Sequence, residues 1–174
     1  DDGGGSVTVN GGATWTEQDF STAQIYRVTT TNDFPYHVCG AQQDNLAVCV
    51  ASQTRAGAGS LIKDRYSGRY TVAPSEMGYI ASHPEQPGVF YTGATNGLLR
   101  YDRETDRTSD VFPFPYWVMG QTAASMKERW NWTYPIVFSE RPPHALYVGS
   151  QHLWKSEDEG QSWTKISPDL TRAD

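Results

Sequence analysis

The sequence lacks long apolar runs and any excess of positive charge. No apolar segment approaches the roughly 20 residues that a membrane-spanning helix requires, so no membrane span is predicted. The 174 residues carry 14 basic and 20 acidic side chains, which gives a net charge of −6. Because nucleic-acid binding depends on a concentrated basic surface, this balance predicts no nucleic-acid partner.

The patterns of common catalytic and metal-binding sites are also missing. The histidines are isolated along the chain, and no Cys/His cluster has the spacing of metal ligands. Neither a GxxxxGK phosphate loop nor a Gly-x-Ser-x-Gly elbow is present. The sequence therefore predicts no metal and no cofactor.

Helical periodicity is weak throughout the chain. Residues 119–130 come closest to an amphipathic stripe, and Gly120 weakens it. By contrast, the chain has 16 glycines, 10 prolines and an aromatic content of 13%. Frequent turn residues together with many aromatic side chains predict an all-β fold.

Only two cysteines are present, Cys39 and Cys49, and turn-forming residues lie midway between them (Gln43, Asp44 and Asn45). On a hairpin, this symmetry places the two thiols opposite each other and predicts a cross-strand disulfide. Closing such a short loop stabilises a fold by roughly 3 kcal/mol, and a disulfide favours a secreted or periplasmic location. Two buried free thiols are the alternative.

A repeat of about 50 residues organises the chain. Segments 25–50, 79–105 and 135–160 each contain an apolar strand, a proline-bearing turn and a second strand that ends in Gly-small-polar. The marker glycines are Gly40, Gly93 and Gly149, and a leucine opens a third strand shortly after each. Four short strands in a unit of this length are typical of a propeller blade, so the sequence predicts a β-propeller of four-stranded blades.

About three and a half blades are predicted, as a fragment of a larger propeller. The predicted boundaries are the end of one blade at 1–20, a blade at 21–75, a second at 76–118, a connecting loop at 119–133 and a third blade at 134–168. Ser6–Val9 and Thr14–Glu17 are predicted to form the last hairpin of the incomplete blade. Because a propeller must close on itself, its remaining blades must come from the same or another chain.

Two octapeptides share the pattern [Ser/Thr]-x-[Asp/Asn]-x-Gly-x-[Ser/Thr]-Trp. The first octapeptide, TVNGGATW, contains Thr8, Asn10, Gly12, Thr14 and Trp15. The second, SEDEGQSW, contains Ser156, Asp158, Gly160, Ser162 and Trp163. We interpret both as hairpin turns, in which the Asp or Asn side chain accepts backbone N–H groups and the glycine takes a positive φ. The tryptophan is expected to pack between neighbouring sheets.

This pattern resembles the Asp box, or BNR repeat, of sialidases, sortilin-type receptors and xyloglucanases of glycoside hydrolase family 74. The whole chain resembles bacterial secreted sortilin-like proteins with BNR repeats, which are often labelled glycosyl hydrolases. The segments PYHVCGAQQDN and LYVGSQHLWKSEDEGQSWTKISPDLT carry this resemblance most closely. In such propellers the box lies at the outer edge of the blades, so the resemblance implies a structural role for Asp158.

The resemblance leaves two main functions open, and a purely architectural subunit of a larger complex is a third alternative. The first is a secreted, non-catalytic module that binds a protein, peptide or glycan. The alternative is part of a glycoside hydrolase resembling family 74, which would cut β-glucans with two carboxylates. Asp1 and Asp2 are candidate catalytic residues, because that family carries a catalytic Asp in a similar glycine-rich setting. Asp44 is a third candidate, and an ordinary turn is the alternative interpretation for all three.

Aromatic side chains are concentrated in FPFPYWVMG (112–120) and RWNWTYP (129–135). Flat rings can stack on sugar faces, so we treat one polar and four aromatic residues as candidate ligand-binding residues: Gln43, Tyr116, Trp117, Trp130 and Trp132. The alternative is that the aromatic residues belong to the core between blades and to the long connection between the second and third units.

Overall fold

The computed structural model describes residues 5–16, 23–53, 68–74, 76, 78–94, 97–115 and 120–171. Within these ranges the fold is all-β, with a single short 3-10 helix at Ala123–Ser125. No helix in the described part of the chain is long and apolar enough to cross a membrane. Asp1, Asp2, Tyr116 and Trp117 lie outside the described residues.

In the described residues, twelve strands form three antiparallel sheets, each a meander of four consecutive strands. Sheet A contains β1 (Ile25–Thr30), β2 (His37–Gln42), β3 (Leu46–Ala51) and β4 (Arg69–Pro74). Sheet B contains β5 (Ile80–Ser82), β6 (Val89–Ala94), β7 (Gly97–Asp102) and β8 (Arg107–Asp110). Sheet C contains β9 (Ile136–Phe138), β10 (Leu146–Gly149), β11 (Leu153–Ser156) and β12 (Thr164–Lys165).

The three predicted units each contain four strands. The sequence predicts the fourth strand of the second unit at Ser109–Phe112, but β8 begins earlier and is Arg107–Asp110. The turn before it is tighter than expected, because the Asp102 carboxylate accepts the backbone N–H groups of Glu104 and Thr105. Strand pairing therefore resumes at once, with Arg107 opposite Asp102.

The predicted hairpin at the start of the chain does not form regular strands in residues 5–16. A backbone hydrogen bond from Thr16 N to Val7 O joins its two arms, and Glu17 lies outside the described residues. An isolated two-stranded hairpin is marginally stable without a sheet to pack against, and Val7 and Val9 are both exposed.

Sheet B lies between sheets A and C. Successive residues of a strand point to opposite faces, and the neighbours Phe90 and Tyr91 of β6 are both fully buried. Phe90 packs into a cluster with residues of sheet A, whereas Tyr91 packs into a cluster with residues of sheet C. The central sheet is therefore covered on both faces, and the three sheets stack in chain order.

The first strands of the three sheets lie side by side. β1 contacts β5, and β5 contacts β9. Each of the three pairs with a neighbouring strand on one side only within the described residues. This arrangement leaves an open backbone edge on each first strand.

The predicted disulfide is confirmed. Cys39 and Cys49 occupy directly opposite positions on β2 and β3, and they are bonded to each other. Both are completely buried on the face of sheet A that packs against Phe90.

Reduction of this disulfide is expected to lower the free energy of unfolding by about 2–4 kcal/mol, because the unfolded chain regains the entropy that the closed loop removes. Urea unfolding with and without reductant measures the change. The Cys39→Ala/Cys49→Ala double variant is the control, because reductant should not alter its stability further. Alkylation of two thiols in the unreduced protein unfolded in urea would contradict the disulfide.

Candidate functional site

A groove of about 730 Å³ runs across the first strands of the three sheets. It is lined by residues of β1, β5 and β9 and by the turns that follow these strands. The volume lies in the range of ligand-binding pockets. The topology creates the groove, because the three open strand edges converge there.

The lining carries both hydrogen-bond donors and hydrogen-bond acceptors. The guanidinium of Arg27 lies 5.5 Å from the centre of the Tyr79 ring, a separation at which a cation and an aromatic face attract each other. Glu140 supplies an exposed carboxylate. Ser82 Oγ is buried and has no hydrogen-bond partner among the described residues. The exposed side chains of Arg27 and Glu140 can bind a polar ligand and determine its orientation.

Two further side chains hold the wall of the groove in place. Asn32 donates from Nδ2 to the Pro84 carbonyl at 2.7 Å, which joins the turn after β1 to the turn after β5. His144 Nδ1 lies 2.9 Å from the Ser139 carbonyl, which can only accept, so this nitrogen carries the proton. His144 Nε2 faces Glu85 at 3.5 Å. The groove thus has polar walls held by contacts between sheets.

A second polar cluster lies at the turn between β10 and β11. Glu128 is only 3% exposed, and its carboxylate accepts from Ser150 Oγ at 2.6 Å and from His152 Nδ1 at 3.0 Å. Burial alone would raise the pKa of Glu128, but these hydrogen bonds and the nearby charge of Lys165 hold it below its usual value. The carboxylate is therefore ionised at neutral pH.

The same turn fixes the long connection between sheets B and C. The buried Gln151 accepts from Arg129 N at 2.7 Å and donates to the Lys127 carbonyl at 2.9 Å. Arg129 also pairs with Asp169 at 2.8 Å. Sequence reasoning missed this cluster, although the Gly-Ser-Gln marker in segment 135–160 lies within it.

The second octapeptide uses its carboxylate to hold its own turn. Asp158 accepts from Ser162 Oγ at 2.5 Å, from Ser162 N at 2.8 Å and from Ser156 Oγ at 2.8 Å. These hydrogen bonds, chiefly from Ser162, lower the pKa of Asp158 to about 2. Ser156 Oγ also accepts from Gly160 N at 2.8 Å. The side chains of Ser156, Asp158 and Ser162 are therefore all hydrogen-bonded within the turn.

This turn packs against sheet B at Val111, and we call the surface that it contacts the seat. Gly160 has φ +89°, and a Cβ built on it would lie 2.8 Å from the Val111 Cβ. Trp163 Nε1 donates to the Val111 carbonyl at 2.8 Å, and its ring packs against the cluster shared by sheets B and C. Trp163 thus joins the turn of sheet C to sheet B.

Glu159 joins the same turn to sheet B. Its carboxylate pairs with Arg100, with 2.7 Å between Arg100 Nη2 and Glu159 Oε2, and accepts from Gln86 Nε2 at 2.9 Å. Burial alone would raise the pKa of Glu159, but the bonds from Arg100 and Gln86 lower it. Tyr91 also donates to the Glu159 carbonyl at 3.2 Å.

The first octapeptide has the same internal hydrogen bonds but no seat in the described structure. Asn10 Oδ1 accepts from Thr14 N at 2.9 Å, and Thr8 Oγ1 accepts from Gly12 N at 2.9 Å. Trp15, however, is 60% exposed, so the expected packing of this tryptophan between sheets is not found. The reason is that no described sheet lies against this turn.

Of the other predicted site residues, those that the structure describes (Gln43, Asp44, Trp130 and Trp132) do not line the groove. Asp44 is exposed at the turn between β2 and β3 and accepts from Gln43 Nε2 at 3.0 Å. Gln43 Oε1 in turn accepts from Tyr26 OH.

Trp130 is half-buried beside Phe112, with 4.5 Å between ring centres, which matches the core interpretation. Trp132 is 42% exposed.

No family model, curated protein or solved structure matches the chain. In the described ranges, no group of three or more His, Cys, Asp or Glu residues is arranged to hold a metal ion.

Replacing Gly160 by alanine is expected to destabilise the protein by about 2–3 kcal/mol, because the new methyl group meets Val111 in addition to taking an unfavourable φ. Gly12 has the same φ of +89°, but a Cβ there meets only Trp15, at 3.9 Å. Gly12→Ala is therefore the matched control and should lose only the roughly 1–2 kcal/mol that the unfavourable φ costs. Urea unfolding of both variants measures the difference, and equal losses would argue against the seat at Val111.

The free energy of unfolding is expected to decrease as the pH falls below 6.5, because of His83. Its Nδ1 accepts the backbone N–H groups of Glu85 and Gln86. Burial lowers its pKa from 6.5, and the charge of Glu159 only partly opposes this. The unfolded chain therefore binds the proton first as the pH falls, so the stability that neutral His83 contributes is complete above pH 6.5 and is lost below it.

Urea unfolding at pH values above and below 6.5 measures this loss. His83→Gln should remove the part of the slope that depends on His83, whereas His37→Gln should retain it. An unchanged slope in His83→Gln would show that the loss has another source.

Proposed function

We propose that the chain forms part of a β-propeller of the Asp-box, or BNR-repeat, type. The stacking of three four-stranded meanders in chain order supports this proposal, since propeller blades are such sheets arranged around an axis. The adjacent first strands β1, β5 and β9 would be the inner strands that line the axis. The remaining blades would come from the same or another chain.

The octapeptides support the same assignment. Each closes a turn through its Asp or Asn side chain, and the second is seated on the neighbouring sheet at the end of a fourth strand. The Cys39–Cys49 disulfide supports a secreted or periplasmic location, because such bonds persist in oxidising compartments. We therefore propose a secreted protein similar to sortilin-like BNR-repeat proteins.

We propose that its function is to bind a protein, peptide or glycan in the groove across β1, β5 and β9. The observation that carries this proposal is that three open strand edges converge in one groove, together with side chains of positive and of negative charge. An extended polypeptide suits this lining best, because open strand edges offer backbone donors and acceptors to an added segment. A glycan could use the same polar groups.

The alternative of a glycoside hydrolase has less support from the described residues. Cleavage requires a pair of carboxylates about 5–10 Å apart on either side of the bond. Glu140 is the one acidic side chain among the described residues that line the groove. Asp44 lies outside it and contacts the neighbouring Gln43. A binding role is therefore the better-supported proposal.

Binding can be tested by screening the protein against peptide and glycan arrays, followed by calorimetry on the hits. Arg27→Gln should weaken binding by about tenfold, because a charged hydrogen bond contributes roughly 1.5–3 kcal/mol. Glu157→Gln, at an exposed position away from the groove, is the control and should bind normally.

An assay for new reducing ends on xyloglucan and mixed-linkage glucans tests the alternative. We expect no turnover. Turnover that is lost in Asp44→Asn but retained in Arg27→Gln would contradict the binding proposal and favour the hydrolase.

A further inference from the structure

The two octapeptides are built alike, but only one is seated. In the first, Gly11 and Gly12 have φ of +70° and +89°, and in the second, Glu159 and Gly160 have φ of +60° and +89°. Trp163 is bonded to Val111 of sheet B, whereas Trp15 is 60% exposed. The first octapeptide therefore has the backbone of a seated turn and an aromatic side chain with nothing described against it.

The seat on sheet B is defined by its place in the sheet. Val111 is the residue directly after β8, and its N–H donates to the carbonyl of Leu98 on β7 at 2.8 Å. Its carbonyl faces outward and accepts from Trp163. Tyr91 and Arg100 lie opposite each other on the same face of sheet B and complete the seat by contacting Glu159.

Sheet C carries a matching set of residues on its outer face. Ile166 directly follows β12, and its N–H donates to the carbonyl of Leu153 on β11 at 2.9 Å. Tyr147 pairs with Lys155, as Tyr91 pairs with Arg100. Ile166, Tyr147 and Lys155 thus occupy the positions of Val111, Tyr91 and Arg100. We call Ile166, Tyr147, Lys155 and their neighbour Val137 the outer face of sheet C.

None of the described residues of the same chain covers the outer face of sheet C. Ile166 is 46% exposed and Val137 is 51% exposed, and a depression of about 400 Å³ lies beside Ile166. The charge pattern also fits the first octapeptide. Arg100 on sheet B needs the acid Glu159, but Lys155 is already paired with Glu157 of its own sheet. The first octapeptide has Gly11 at the position of Glu159, so it brings no second acid.

We propose that the first octapeptide of one copy of this chain docks on the outer face of sheet C of a second copy. Trp15 Nε1 donates to the Ile166 carbonyl, Tyr147 donates to the Gly11 carbonyl, and Gly12 packs against the Ile166 side chain. The contact repeats the one that already joins sheet C to sheet B inside each copy. Because the two surfaces differ, it is heterologous, and it either closes a ring or extends a chain of copies.

Sedimentation equilibrium over a wide concentration range tests the proposal. The chain has a mass of 19.4 kDa, and we expect concentration-dependent association to twice this mass or more. Trp15→Ala and Ile166→Asp should each weaken association at least about tenfold, as is typical of central interface residues. Phe34→Ala replaces an aromatic residue that is 87% exposed elsewhere, and it should associate like the parent protein.

Mixing the two weakened variants gives the decisive result. Trp15→Ala retains an intact outer face of sheet C, and Ile166→Asp retains an intact first octapeptide, so an equimolar mixture should form a mixed pair that neither variant forms alone. Near-ultraviolet circular dichroism establishes that both variants remain folded. A monomeric parent protein, or a mixture that fails to associate, would overturn the proposal. Protection of Trp15 from a fluorescence quencher in the monomer would also overturn the proposal, because Trp15 would then be covered by its own chain.

Discussion

The burial of sheet B on both faces is the constraint on which the rest of the structure depends. Phe90 and Tyr91 are consecutive residues of one strand, and both rings are fully buried. An antiparallel sheet with one wet face would place only one of them inside. Sheet A must therefore cover one face of sheet B and sheet C the other, and the adjacent first strands and the groove between them follow from this stacking.

The acidic residues of the second octapeptide illustrate how charge is used in this fold. Asp158 is committed to the backbone of its own turn, and Glu159 next to it reaches across to Arg100 of the neighbouring sheet. Neither carboxylate faces the groove. An acid-rich segment that could be taken for a reactive centre instead specifies first a turn and then a junction between sheets.

The strands could be predicted because their information is local. Alternating apolar residues, a proline in each first turn and a glycine near the end of each second strand are sufficient to place most of them. Long-range contacts could not be predicted in this way. The Glu128–His152 pair joins residues far apart in sequence, and Trp130 has the same local surroundings whether it packs on Phe112 or binds a sugar. The groove depends on β1, β5 and β9 meeting, and only the stacking of the sheets brings them together.

The position of the disulfide has a mechanical consequence. Cys39 and Cys49 join adjacent strands of sheet A, and they are separated by only 10 positions in sequence. A force pulling on the two ends of the chain would separate the described sheets by breaking noncovalent contacts alone. The bond would shield a segment of about 35 Å from extension, so the oxidised and reduced proteins would stretch to nearly the same length and would differ mainly in how sheet A gives way.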